Sequence, residues 1–204
     1  MQFTTPDMGE ITISDKSEAC DFIKDSCKEC NRKYECTGEN AAFCNHMKNI
    51  LVAKYGAAEG CLKESRIRHS MGVANFLFAY AKSHDWSKEE TEDLYLTGLL
   101  HDIGYIDNPK GTDHGRLGAE ILKRNGLNAE ICELISCHGR FIENPSRKQA
   151  LLWLADLCVN RDGDYIGYQK RYESIKERYK NDPERLFQVY RILEYLQIHF
   201  SEYR

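Results

Sequence analysis

The chain lacks an excess of basic charge, a long apolar run and any internal repeat. With 28 Lys and Arg against 32 Asp and Glu, its formal charge of -4 gives no long-range attraction for polyanions. That excludes a general nucleic-acid binder and leaves room for a local basic pocket. No apolar stretch approaches the roughly 18 residues of a membrane span, and residues 1–10 lack the charged-then-apolar order of a secretory leader. The expectation is a cytoplasmic protein with no membrane partner. What is there is 204 residues, 42% hydrophobic and 29% charged, enough for one well-filled core and a small appendage.

Nine cysteines are unevenly spread. Cys20, Cys27, Cys30, Cys36, Cys44 and Cys61 come early, and Cys132, Cys137 and Cys158 far behind. The asymmetry marks a boundary between a small cysteine-rich N-terminal segment, 1–60, and a main helical domain, 61–204. Cys27-x2-Cys30 followed by Cys36 and Cys44, with Cys20 ahead and His46 behind, has the density of a structural zinc site or an iron-sulfur cluster. The spacing fits no standard finger or ferredoxin signature closely. Disulfides, disfavoured in a reducing compartment, and free thiols are the competing readings.

The main domain reads as all-α. Ile67, Met71, Ala74, Leu77, Phe78 and Ala81 give residues 66–83 the three-and-four spacing of an amphipathic helix. Ser87 with Glu90 forms a capping box that opens a second helix, running to about Asp102. A third is predicted over 113–124, stopped by Gly126, and Asn128 caps a fourth that ends at His138. Asn144 and Pro145 open a fifth, carrying ALLWLADLCV, and Asp182 with Pro183 opens a last one ending near Phe200.

One helix is unusual. LTGLLHDIGY, residues 96–105, is a core-forming run that finishes in His101 and Asp102. Adjacent helical residues point about 100° apart, so the pair is poorly placed to chelate one ion from mid-helix. At a helix end the backbone splays, and the carboxylate then has two oxygens to share between ions. His69, His114, His138 and Asp156 each fall on a different predicted helix, the way metal sites in bundles are assembled. His84 and His199 are read as ordinary structural histidines.

RIRHSMGVANF, TGLLHDIGY, DHGRLGAEIL, ISCHG and LLWLADL, in this order over about residues 62–170, resemble the HD superfamily of metal-dependent phosphohydrolases. HGRLGAEIL, the following CHG and WLAD are similar to the bacterial HD-type symmetrical diadenosine tetraphosphate hydrolases, which carry a dinuclear iron centre. The resemblance implies an HD-domain helical bundle in which His69, His101, Asp102 and Asp156 hold one metal, while Asp102 bridges to a second held by His114 and His138. Ligands without thiolate suit iron, manganese or zinc without choosing among them, and the resemblance implies iron. Two such ions would share a bridging hydroxide that attacks phosphorus in a small-molecule phosphate, a nucleotide or dinucleotide polyphosphate.

Asp102 and Arg66 are the candidates for direct catalytic roles. Arg66, Lys110, Arg140 and Arg161 are the candidates for holding substrate. Arg66 leads them, because an arginine one helical turn before the first histidine recurs in the resembling enzymes. Two departures bear on substrate. Tyr105 stands where many members carry a lysine, and the stretch from His101 to His114 is shorter than in the tetraphosphate hydrolases. An HD-type dinuclear iron oxygenase and a non-catalytic nucleotide sensor are the other function classes compatible with these motifs.

Overall fold

The computed structural model describes residues 2–5, 9–12, 64–106, 111, 113–124 and 126–204. Cys20, Cys27, Cys30, Cys36, Cys44 and Lys110 lie outside the described residues. The chain divides into two compact units, Met1–Leu62 and Lys63–Arg204. In the first, β1 (Gln2–Thr5) and β2 (Gly9–Thr12) pair antiparallel, Gln2 opposite Thr12 and Thr5 opposite Gly9.

The described residues of the second unit form an all-α bundle of seven helices: α1 (Glu64–Ser83), α2 (Lys88–Leu100), α3 (His114–Arg124), α4 (Ala129–Cys137), α5 (Arg147–Cys158), α6 (Tyr168–Arg178) and α7 (Pro183–His199). Their starts follow local chemistry. Ser87 and Glu90 exchange both bonds of the capping box at α2. Asn128 and Asp182 accept from the first-turn amides of α4 and α7. At α5 the cap is Ser146, two residues beyond the expected Asn144, which sits at φ 54 in the preceding turn. Helix α6 was not anticipated. Its sequence YQKRYESIKER is so rich in charge that its apolar stripe is reduced to Tyr168 and Ile175.

Helix α5 is the hub. Nine of its twelve residues are buried, among them Leu151, Leu152, Trp153, Leu154 and Ala155, and it packs against α1, α2, α4, α6 and α7. Burying each of those large side chains contributes roughly 1.5 to 3 kcal/mol before chain entropy is set against it. Leu77 of α1, Leu94 of α2 and Leu196 of α7 complete this core with no exposed surface.

Two glycines let the polar centre form within this frame. α2 stops at Leu100, His101 is its C-cap, and the chain turns into a 3₁₀ helix, Ile103–Ile106. Gly104 of that turn lies so close to α3 that an added Cβ would collide with the His114 carbonyl and stand 2.5 Å from the Gly118 nitrogen. Gly115 makes the corresponding approach to α4, where a Cβ would meet the Ile135 oxygen at 2.9 Å and the His138 ring at 3.3 Å. The obstacles at Gly104 are backbone atoms, which have no rotamer to change. Gly104→Ala is therefore expected to destabilise the fold by about 1 to 3 kcal/mol in urea denaturation, as overpacking does, and to weaken metal retention by moving His114. An unchanged midpoint would contradict this packing.

Candidate metal centre

Four histidines reach the centre from four places: His69 on α1, His101 at the end of α2, His114 at the start of α3 and His138 at the end of α4. Each has its Nδ1 on a backbone carbonyl. His69 donates to Asn160 at 3.0 Å, His101 to Gly98 at 2.7 Å, His114 to Gly111 at 3.0 Å and His138 to Ile135 at 2.6 Å. A carbonyl only accepts, so each Nδ1 must carry a proton, and a ring that is neutral presents its Nε2 lone pair.

Those lone pairs converge on two carboxylates. His69 Nε2 lies 2.9 Å from Asp156 Oδ1. His101 Nε2 lies 3.9 Å from the same oxygen and 3.7 Å from Asp102 Oδ1. His114 and His138 place their Nε2 atoms 3.4 and 3.7 Å from Asp102 Oδ1 and only 2.8 Å from each other. Within each of the sets His69–His101–Asp102, His101–His138–Asp156 and Asp102–His114–His138, the donor atoms lie within 4.8 Å of one another. All six residues picked out from the sequence therefore meet. His84 and His199, expected to be structural, stack on Tyr80 and Tyr195.

The donor set fits a divalent metal ion. Two lone pairs facing each other at 2.8 Å repel unless a cation or proton lies between them, and buried His101 Nε2 has no hydrogen-bond partner at all. Electrostatics agree. Burial, together with the neighbouring histidines, lowers His101 and His114 from 6.5 to about 4, keeping both imidazoles neutral. Burial alone would raise Asp102 and Asp156. The surrounding imidazoles, with Arg66 beside Asp102, reverse this and hold both carboxylates well below their usual range. His138 moves the other way: burial opposes its charge, but Asp102 outweighs burial and raises it.

Arg66 donates from Nη1 to Asp102 Oδ2 at 2.8 Å. The carboxylate thus turns one oxygen to the imidazoles and the other to the guanidinium. The Arg66 guanidinium also lies 3.8 Å over the Tyr105 ring, which in turn stacks on His114 at 4.2 Å. Of the other expected substrate contacts, Arg140 is exposed and its ion-pair partner is Asp113, at 3.7 Å. Arg161, just beyond α5, lies within electrostatic reach of Arg66.

Sequence reasoning missed Arg171, Arg178, Tyr179 and Arg185. Arg171 is buried and acts on Asp156 and Asp102. Tyr179 carries the Arg185 guanidinium at 4.4 Å. The signal was present: arginines at 171, 178 and 185 repeat every seven residues, and two such positions on one helix share a face.

A family model for the HD domain matches residues 66–186, more than half of the chain and every residue of the centre. The chain belongs to the HD domain family. That family is one of metal-dependent hydrolases, in keeping with the donor set. Ribonuclease Y of Fervidobacterium nodosum is 35% identical over 92 residues, 41% of this chain and 18% of that protein. An uncharacterized protein of Methanocaldococcus jannaschii is 31% identical over 77 residues, 37% of this chain and 45% of its own length. The chain thus spans less than half the length of these relatives. No solved structure matches it. No described helix is long and apolar enough to cross a membrane.

In chelator, the titration of the donor set sets a pH dependence. Between 6.5 and about 4, unfolded His101 and His114 take up protons that the folded centre refuses, so the unfolded state binds more protons and stability falls as pH drops. His138, raised above 6.5, works against this decline near the top of the window. The depressed carboxylates lose their contribution only below about 4, once the unfolded chain protonates at 3.8. Urea titrations in chelator should therefore show stability declining steadily across that window. A flat profile would contradict neutral buried imidazoles.

Proposed function

We propose that the chain is a dinuclear metal-dependent phosphohydrolase acting on a nucleotide or dinucleotide polyphosphate. The observation that carries this reading is the 2.8 Å approach of His114 and His138 beside Asp102 Oδ1, while His69 and His101 lie 2.9 and 3.9 Å from Asp156 Oδ1. One donor set with a shared carboxylate suits two ions. His69, His101, Asp102 and Asp156 would hold the first, and His114 and His138, sharing Asp102, the second. Iron fits the nitrogen and oxygen donors best, and manganese or zinc would also be accommodated. When bound, such ions lower the pKa of a shared water toward neutrality and polarise the phosphoryl group it attacks.

The residues themselves set the rest. The Nδ1 bonds keep the imidazoles aimed, so binding needs little rearrangement. Asp156 keeps 27% of its side chain exposed and His114 17%, so approach from solvent is on their side, while His101 is sealed. Arg66 sits over Asp102 with its guanidinium free to share its remaining donors with a phosphoryl oxygen. Likeness to the symmetrical diadenosine tetraphosphate hydrolases in HGRLGAEIL, CHG and WLAD supports that substrate, cut with one water into two molecules of adenosine diphosphate. The kinship with Ribonuclease Y supports the same attack at phosphorus. The chain's net charge of -4 weighs against RNA as substrate.

Replacing His114 and His138 together by Ala should halve the ions of the HD centre, counted by elemental analysis, and abolish most hydrolysis of a nucleotide panel. The count is read as a difference from the unaltered chain, because zinc or a cluster at Cys20, Cys27, Cys30, Cys36 and Cys44, our reading of that segment, would add ions to both. Full activity with one ion in the centre would replace the dinuclear reading by a mononuclear one. No hydrolysis of any phosphate, with substrate-dependent oxygen uptake, would favour the oxygenase that Tyr105 in place of lysine leaves open.

Arg66→Ala should lower kcat/KM about tenfold to a hundredfold, the loss of a charge-assisted contact of about 1.5 to 3 kcal/mol made in the transition state. An unchanged kcat/KM would remove Arg66 from the machinery.

A further inference from the structure

Five arginines gather beside the metal centre, and their carboxylate partners are too few. Arg66 pairs with Asp102 at 2.8 Å, and Arg185 lies 3.5 Å from Asp182. Arg161, Arg171 and Arg178 have no carboxylate partner among the described residues.

The grouping is fixed by contacts. Arg185 donates from Nη2 to the Gly111 carbonyl at 2.9 Å, the same oxygen that holds His114 Nδ1 at 3.0 Å. The α6–α7 junction is thereby tied directly to a residue of the centre. Tyr179, the C-cap of α6, carries Arg185 at 4.4 Å and Arg178 at 5.6 Å on its ring. Arg171 is two helical turns before Arg178 on the same helix, only 4% exposed, with an Nε that has no hydrogen-bond partner. A buried guanidinium without a counter-ion is costly. Its electrostatic neighbours include Asp156 and Asp102 of the centre and the arginines Arg178 and Arg66.

We propose that Arg161, Arg171, Arg178 and Arg185 form an anion subsite beside the metal centre, holding the phosphate groups of the substrate that are not cleaved. This rests on the phosphohydrolase reading and deepens it. A single phosphate ester engages the centre and Arg66, leaving four guanidiniums unused. A chain of linked phosphates presents further charged oxygens, and guanidiniums bind these with charge-assisted, often bidentate bonds. The subsite selects linked phosphates over single esters. Tyr105 fits this division: it occupies the position of the usual lysine with an uncharged ring, so positive charge comes from α6 and α7 instead.

The test uses the full chain, stripped of metal, with inorganic tripolyphosphate and inorganic phosphate as probes in titration calorimetry. Arg161→Gln combined with Arg178→Gln is the principal variant, since neither side chain has a carboxylate partner among the described residues. Arg171→Gln is the second, with circular dichroism checking that its buried site still folds. The unaltered chain should bind tripolyphosphate at least about tenfold more tightly than phosphate, and the double variant should lose about tenfold to a hundredfold for tripolyphosphate and less than about threefold for phosphate. Equal binding of the two probes by the unaltered chain, or equal loss for both in the double variant, would overturn the subsite. With metal restored, the double variant should show a raised KM for diadenosine tetraphosphate. Hydrolysis by the unaltered chain with no change in the double variant would remove the subsite and leave the proposed function standing. Arginine-dependent tripolyphosphate binding by a chain that hydrolyses no phosphate would do the reverse.

Discussion

Four ring nitrogens committed to backbone carbonyls hold the centre together. Gly98 and Ile135 lie in the last turns of α2 and α4, where a carbonyl keeps a lone pair for a further donor, Ile135 also taking the His138 amide. Gly111 and Asn160 lie in connections, and each carbonyl takes a second donor as well, Arg185 Nη2 and the Gly163 amide. Each imidazole N–H satisfies one of these carbonyls, and in doing so the ring is fixed in one tautomer with its Nε2 inward. Helix ends, which elsewhere are a problem of unpaired polar groups, here become the means of orienting four ligands. The helix of His101 therefore had to stop at Leu100: one more regular turn would have carried Asp102 round the axis and off the common point.

Such a cluster of acceptors is unfavourable by itself, and the apolar frame bears the cost. Asp156 interrupts LLWLADL, a run whose leucines and tryptophan are almost wholly buried, and Asp102 is only 2% exposed. Arg66 offsets part of Asp102's charge. The repulsion between the facing His114 and His138 nitrogens is relieved only by positive charge placed between them. Stability and ligand binding are thus coupled, and an ion that binds the folded centre alone shifts the folding equilibrium by mass action.

The parts legible in the sequence are those written in local chemistry. Caps at Ser87, Asn128 and Asp182 marked helix starts, and the six ligands could be chosen because ordered motifs distinguished them from lone histidines such as His84. What was not legible depends on approach between distant segments. Gly104 has no signature of its own, yet its missing side chain brings His114 to Asp102. Helix α6 was hidden because burial of Tyr168, Arg171 and Ile175 is supplied by α5 and α7, not by a strong stripe of its own. Losing α6 from the reading also lost Arg171 and Arg178.

The contact of Arg66 with Asp102 gives that arginine two uses. In the centre without ions, a guanidinium 2.8 Å from Oδ2 stabilises a carboxylate that would otherwise be isolated in an apolar surround. Were cations to occupy the other side of Asp102, as proposed, the carboxylate's charge would be shared among more partners and its hold on Arg66 would weaken. A phosphate would then compete for the guanidinium on better terms. Tyr105 limits how far the side chain travels, since its ring lies 3.8 Å beneath the guanidinium and is itself braced on His114. An arginine resting on an aromatic face keeps its plane while exchanging hydrogen-bond partners. Tyr105 cannot replace the charge of a lysine, but it provides a surface over which the neighbouring charge is kept in line with the site.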